Sequence, residues 1–210
     1  MATEETRESL LKAATKVFAE KGFSGSRVDE IARRARVNKA MIYYHFGPKQ
    51  KLYQAVLLRL FSAVREEMER IAAGEADAQR RLAALYAGLA AMFEREPALP
   101  RIMLREFLAG GRNMEIDAAR ALYRVFDLVR GTLERGRKEG VFRPAHPLLV
   151  HMNMAGTLLL YHITGPFRAR MMAAIAPAFE ELTPEAVLAY LGDVITRTLA
   201  TNGVADAHRS

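Results

Sequence analysis

The run Val37-Asn38-Lys39-Ala40-Met41-Ile42-Tyr43-Tyr44-His45-Phe46 decides the reading of this chain. Asn38 is a strong helix N-cap, because its short side-chain oxygen reaches the free N–H groups of a first turn. A helix is expected from there to Phe46. Gly47-Pro48 then breaks the chain and opens the next helix, since Pro suits a first turn. Upstream, Arg27 to Arg34 reads as another short helix, with Ser26 as its cap and Val28, Ile31 and Ala32 facing inward. Ala35-Arg36-Val37 is the turn between the two. Two short helices on a tight turn form the geometry that places a second helix in the major groove of DNA. The first crosses it and holds it through Ile31, Val37 and Ile42. Helix starts and basic side chains grip phosphates on either side.

The charge distribution agrees. The net charge is +7 over 210 residues. Between Lys21 and Lys51 eight Lys/Arg stand against only Asp29 and Glu30, so nearly all of that charge is local. A polyanion-binding module needs such a patch.

Outward from this segment the chain reads as helix after helix, an all-α architecture of about nine helices with almost no strand-like alternation. The first helix is expected over about Glu4–Lys21, with Gly22 as its stop. A long helix follows from about Lys49 to Ala73, then others over about Asp77–Arg95, Pro100–Leu108, Glu115–Glu139, His146–Thr164 and Thr183–Ala200. Gly140-Val141 looks like a Schellman stop, and Gly131 and Gly136 are expected to weaken their helix by about 1 kcal/mol each relative to Ala. The tail Asn202 to Ser210 is expected to fray. Pro144 to Phe167 lacks any Asp, Glu, Lys or Arg, yet its three histidines and Asn153 are costly in lipid, so a helix buried all round inside the protein or an oligomer is expected rather than a membrane span. With no Cys, disulfide scaffolds, Cys-ligated zinc, iron–sulfur clusters and thiol redox chemistry are excluded. The polar, acidic start is not a signal peptide, and a cytoplasmic location is expected. No H-E-x-x-H, Walker A or G-x-S-x-G pattern occurs, so no catalytic residue, metal or cofactor is assigned. His151 and His162 share a helix face but sit about 16 Å apart, too far for one metal ion.

Gly22-Phe23, Val28, Ile31-Ala32, Val37 through Phe46, Lys49 and Leu52 together resemble the N-terminal domain of TetR/AcrR-type transcriptional regulators. The match spans about residues 7–54, and Ile42-Tyr43-Tyr44-His45-Phe46 followed by Lys49 is its most specific part. The resemblance implies a DNA-binding head over residues 1–48 and an effector-binding and dimerisation domain over residues 49–210. It implies that Asn38, Lys39 and Ala40 lie near base edges or flanking phosphates. Tyr43 and His45 would meet the backbone, with Tyr44 beside them. Lys49 would hold a phosphate, and Ser26, Arg27 and Val28 would open the first helix near another. Three departures stand out. Val28 lacks the hydroxyl common there, Arg36 occupies a turn position where Gly is common, and Pro48 replaces a Ser or Thr cap. If Arg36 adopts positive φ, it costs about 1 kcal/mol.

For the remainder, the resemblance implies a pocket for an apolar small-molecule effector. Tyr86, Met92, Phe93, Met103, Phe107, Tyr123, Phe126 and His162 are its candidate lining. Met152, Ala155, Gly156 and Leu159, with Leu188, Leu191, Ile195 and Leu199 of the last helix, are the candidate homodimer surface. The reading is a ligand-responsive repressor that binds a pseudo-palindromic double-stranded operator as a homodimer. The competing reading is a helical small-molecule or lipid-binding protein, or an enzyme, whose basic head binds DNA only non-specifically.

Overall fold

The computed structural model describes residues 2–175 and 182–201; the tail expected to fray, Asn202 to Ser210, lies outside them. Nine α-helices follow in order among the described residues: α1 (Ala2–Gly25), α2 (Val28–Ala35), α3 (Ala40–Phe46), α4 (Lys49–Gly74), α5 (Ala78–Arg95), α6 (Ala98–Leu108), α7 (Ile116–Lys138), α8 (Pro147–Ile175) and α9 (Pro184–Leu199). The extended pairing among them is a single bridge between Phe142 and Ala200. The chain forms two compact units, Met1–Val64 with Glu96–Leu122, and Arg65–Arg95 with Tyr123–Ser210.

In the first unit, Leu10, Ala14, Val17 and Phe18 form the buried stripe of α1, and Ile31 and Ile42 seat α2 and α3 with no exposed surface. Leu52, Val56 and Leu57 of α4 close the same core. Gly22 does not end α1 outright. The backbone departs from helix there, at φ 71 and ψ 177, and one further turn runs to Gly25. Glycine is needed for that φ. A side chain at this position would also meet Arg105, with a Cβ only 3.2 Å from its Nη1. Arg105 of α6 donates to the carbonyls of Ala19 (3.2 Å) and Glu20 (2.8 Å), satisfying acceptors at the break.

A polar clasp holds α4 to the α6–α7 connection within the same unit. The buried carboxylate of Glu106 accepts from the Tyr53 hydroxyl at 2.6 Å and the Asn113 amide at 3.1 Å. Gln54 donates to the Asn113 carbonyl and accepts from the Glu115 N–H, and Lys51 pairs with Glu115 at 2.9 Å. The Tyr53 ring in turn packs on Phe18 (4.7 Å between centroids) and Phe23 (5.1 Å).

In the second unit, α5 buries Leu82, Leu85, Tyr86, Leu89 and Phe93 and packs against α8 and α9. Asp77 caps α5 through Arg80 N–H, and Thr183 caps α9 through Ala186 N–H. The stop at Gly140 is as expected, with φ 75 and Val141 N–H on the Gly136 carbonyl at 2.9 Å. Gly136 has a further reason to be glycine. Phe142 folds back onto it, so a Cβ there would lie 2.1 Å from the ring, whereas nothing lies within 4 Å of one at Gly131. Gly131→Ala is therefore expected to stabilise by about 0.5–1 kcal/mol, and Gly136→Ala to destabilise by about 1–3 kcal/mol. Urea titrations read by circular dichroism check the opposite signs.

α8 departs from the expected bounds. It continues through Gly165-Pro166 to Ile175 instead of stopping near Thr164. An internal Pro removes one backbone donor and typically costs about 3 kcal/mol. The acceptor freed is the His162 carbonyl, four residues back; Arg168 adds bonds nearby, to the Tyr161 carbonyl at 2.7 Å and the Thr164 hydroxyl at 2.6 Å. Within the single chain this helix is not buried all round: Leu149, Met152, Leu160 and Phe167 are mostly exposed, so any further burial would have to come from an oligomer. No helix among the described residues is long and apolar enough to cross a membrane.

Candidate nucleic-acid interface

The interface is built on α2 and α3. Asn38 caps α3 as its residue type predicts, accepting from the Ala40 N–H at 2.8 Å. Its carbonyl accepts from Met41 N–H at 3.0 Å. The buried Ile42 anchors the helix from behind, and Tyr43 and Tyr44 stand out on the other side, 50% and 75% exposed. Asn38, Lys39 and Ala40 are exposed at its start. This is a short rod presented outward.

The turn departs from the usual chemistry in one place. Arg36 sits at φ 57, ψ 39, and Val37 N–H closes a Schellman bond to Ala32 O at 3.1 Å. The strain of a Cβ there is about 1 kcal/mol, so Arg36→Gly is expected to stabilise the head by about that much. A fall in the urea midpoint instead would show that the side chain makes a compensating interaction.

Ser26 does not cap α2. Its hydroxyl is buried and donates back to Gly22 O, stitching the break in α1, while Arg27 occupies the cap position with no side-chain bond. The expectation that the Ser26 hydroxyl meets DNA is corrected accordingly. Val28 is half-buried. Lys49 is turned partly inward, with its ammonium on the Ser26 carbonyl at 2.9 Å and over the Phe23 ring at 4.5 Å. Burial pushes it below the ordinary lysine range. One of its three donors is thus engaged inside the protein. His45 packs edge-on to Tyr44 at 5.0 Å, and its Nε2 is buried without a partner, so that atom does not face solvent.

The basic cluster divides by pairing. Lys21 bonds Glu30 at 2.6 Å, Arg34 reaches Glu20 at 2.7 Å and Glu30 at 2.9 Å, and Lys39 holds Asp29 at 2.8 Å. The Lys39 pair raises the lysine and lowers the aspartate from their ordinary values. Among the described residues, Arg27, Arg33 and Arg36 have no carboxylate partner. Arg27 and Arg33 line one open depression beside α2. In the sequence, Arg33 and Arg36 belong to the basic patch without standing out from it. The signal available was the i,i+4 pair of Glu30 with Arg34, which removes Arg34 from the free set.

The candidate effector residues fall in both units. Tyr86 and Phe93 are buried in the second, with Met92, Phe126 and His162 half-buried there. Tyr123 is 58% exposed. Met103 and Phe107 belong to the first unit, the latter exposed, so the eight do not form one cluster within a unit. Among the dimer candidates, Met152 is exposed and Ala155, Gly156 and Leu188 are half-buried. Leu159 of α8 and Leu191, Ile195 and Leu199 of α9 are corrected: all are buried within the single chain, the last three because the apolar stripe of α9 turns inward. No group of three or more His, Cys, Asp or Glu that could hold a metal occurs among the described residues.

An all-helical chain with an outward-facing short helix on a basic head defines a helix-turn-helix regulatory protein. The chain belongs to the TetR family: the model for bacterial regulatory proteins of that family matches residues 10–56, and one for the tetracyclin repressor-like C-terminal domain matches residues 79–177. Among curated relatives, the HTH-type transcriptional repressor NicS of Pseudomonas putida is 33% identical over 142 residues, covering 67% of both chains. The HTH-type transcriptional activator FasR of Mycolicibacterium smegmatis is 45% identical over 69 residues, 31% of this chain and 32% of its own length. Among solved structures, the fold is shared with the transcriptional regulator FadR of Bacillus subtilis, crystallised with stearoyl-CoA, at a TM-score of 0.71 and 18% identity, covering 90% of this chain and 97% of that one.

Proposed function

We propose that this protein is a sequence-specific, ligand-responsive transcriptional repressor that binds a pseudo-palindromic operator as a homodimer. The carrying observation is α3 itself, capped by Asn38, anchored by Ile42 and presenting Tyr43 and Tyr44 to solvent. In this reading residues 1–48 are the DNA-binding head and residues 49–210 bind effector and pair the subunits. Lys39 and Ala40 approach the groove, Tyr43 meets a backbone phosphate with Tyr44 beside it, and Arg27, with Arg33 and Arg36 added, grips further phosphates. Their lack of carboxylate partners among the described residues supports this. The repressor sense follows NicS, a repressor matched over 142 residues. Exposed Leu148, Leu149, Met152, Leu160 and Phe167 of α8 and Tyr190 of α9 support a dimer contact, being more apolar surface than a lone chain leaves wet. An effector acts only through unequal affinity for two conformers, and α4, shared by both units, is the element that conveys it.

A gel shift on the DNA upstream of this protein's own gene tests the reading. The expected result is a complex of two chains per operator that survives a large excess of random duplex. Arg27→Ala and Arg33→Ala are each expected to lower the slope of log affinity against log salt by about one per head, and so by about two in the twofold complex, one phosphate per head being no longer neutralised. Complexes that vanish with random competitor would leave only non-specific binding, and unchanged slopes would remove these arginines from the interface.

A further inference from the structure

Four buried polar atoms of the second unit have no hydrogen-bond partner among the described residues: the Tyr86 hydroxyl, His162 Nε2, His151 Nδ1 and Arg168 Nε. They lie on helices that pack together, α5 and α8. Tyr86 and Phe93 are two turns apart on one face of α5, and the Phe93 ring stands edge-on to His162 at 5.3 Å. His151 meets Phe126 at 5.8 Å. His162 Nε2 therefore belongs to a ring that meets Phe93 where α5 faces α8, with Tyr86 on that same face of α5, while His151 is set against Phe126 of α7. Leaving such atoms unsatisfied is costly, so they usually have a partner in the working molecule.

The hydrogen-bond pattern states what that partner must offer. His162 Nδ1 lies 2.8 Å from the Leu158 carbonyl. A carbonyl only accepts, so Nδ1 carries the proton, and in the neutral ring Nε2 is then a bare acceptor. It requires a donor. The Tyr86 hydroxyl can give its proton to an oxygen acceptor. Charge is disfavoured, because no Lys, Arg or Asp and no Glu of the second unit is buried among the described residues to balance it. Arg168 gives its Nη1 to Tyr161 and Thr164 of its own helix, and its Nε, buried without a partner, lies six residues on from His162 and so about 120° away around α8, off the face that meets α5. An aliphatic chain alone would leave these atoms unpaired.

Resting on the effector-binding reading above, we propose that the α5–α8 face takes an uncharged aromatic molecule bearing hydroxyl groups, one donating to His162 Nε2 and one accepting from Tyr86. Calorimetry on the full chain with 4,4′-dihydroxybiphenyl, 4-hydroxybiphenyl and biphenyl tests it. Affinity is expected to fall by about tenfold for each hydroxyl removed. Tyr86→Phe, which keeps the ring and folds, is expected to bind the dihydroxy probe about tenfold more weakly while leaving biphenyl affinity unchanged. His162→Phe does the same while preserving the packing on Phe93. Equal affinity for all three probes, no binding of any, or no effect of both variants overturns the proposal. The same preparations are assayed on the upstream DNA. Retention of DNA binding without probe binding sinks this inference alone, whereas probe binding without DNA binding sinks the regulator reading.

Discussion

Glu106→Ala is expected to lower the unfolding free energy by about 3–5 kcal/mol, the largest effect at a single side chain of the first unit. Glu106 is 1% exposed, and its Oε1 accepts from both Tyr53 and Asn113. Truncation leaves the buried Tyr53 hydroxyl without an acceptor and opens a cavity between α4 and α6. It also loosens Asn113, whose carbonyl accepts from Gln54. Burial and the Glu106 carboxylate already push the Tyr53 hydroxyl well above the ordinary tyrosine range, so that proton stays in the bond. Glu106→Gln keeps an acceptor oxygen and is expected to destabilise less than half as much. The chain has no Trp, so far-ultraviolet circular dichroism in urea is the suitable readout. A change below about 1 kcal/mol in Glu106→Ala would place the clasp among the ordinary surface bonds.

Tyr43→Ala is expected to weaken operator binding by about 10- to 100-fold per head, and by the square of that in a twofold complex, since a hydrogen bond to a charged phosphate is worth about 1.5–3 kcal/mol. Folding stability should hardly change, because half of this side chain is already in water. Tyr43→Phe separates hydroxyl from ring: a weakening as large as that of the alanine variant assigns the effect to the hydroxyl. Fluorescence anisotropy with labelled operator measures both. Unchanged affinity in both variants would remove Tyr43 from the interface.

These two residues also mark how far a one-dimensional reading goes. Tyr43 was legible because cap, turn and charge are local features: Asn38, Arg36 and Ile42 lie within one short window. The turn over Ala35-Arg36-Val37 and the Gly140 stop were legible for the same reason, whereas positive φ at Arg36 was only a condition raised by the resemblance. Glu106 was not, because its partners Tyr53 and Asn113 come from distant parts of the chain. Nor was the fate of Lys49, whose ammonium finds Ser26 and Phe23 across the α1–α2 connection. The dimer candidates show a different failure. Leu191, Ile195 and Leu199 are correctly periodic, but periodicity says only that a stripe is apolar, not whether its own chain or a second one covers it.

The sequence by itself determined the order of the helices, the Asn38 cap and the short helix that follows it, since those depend on backbone propensity and contacts a few residues apart. Tertiary structure alone decided which arginines keep an unneutralised charge, which leucines go into the core, and which buried polar atoms await a partner. Each of those depends on side chains brought together from far apart in the chain, where burial and charge balance are settled.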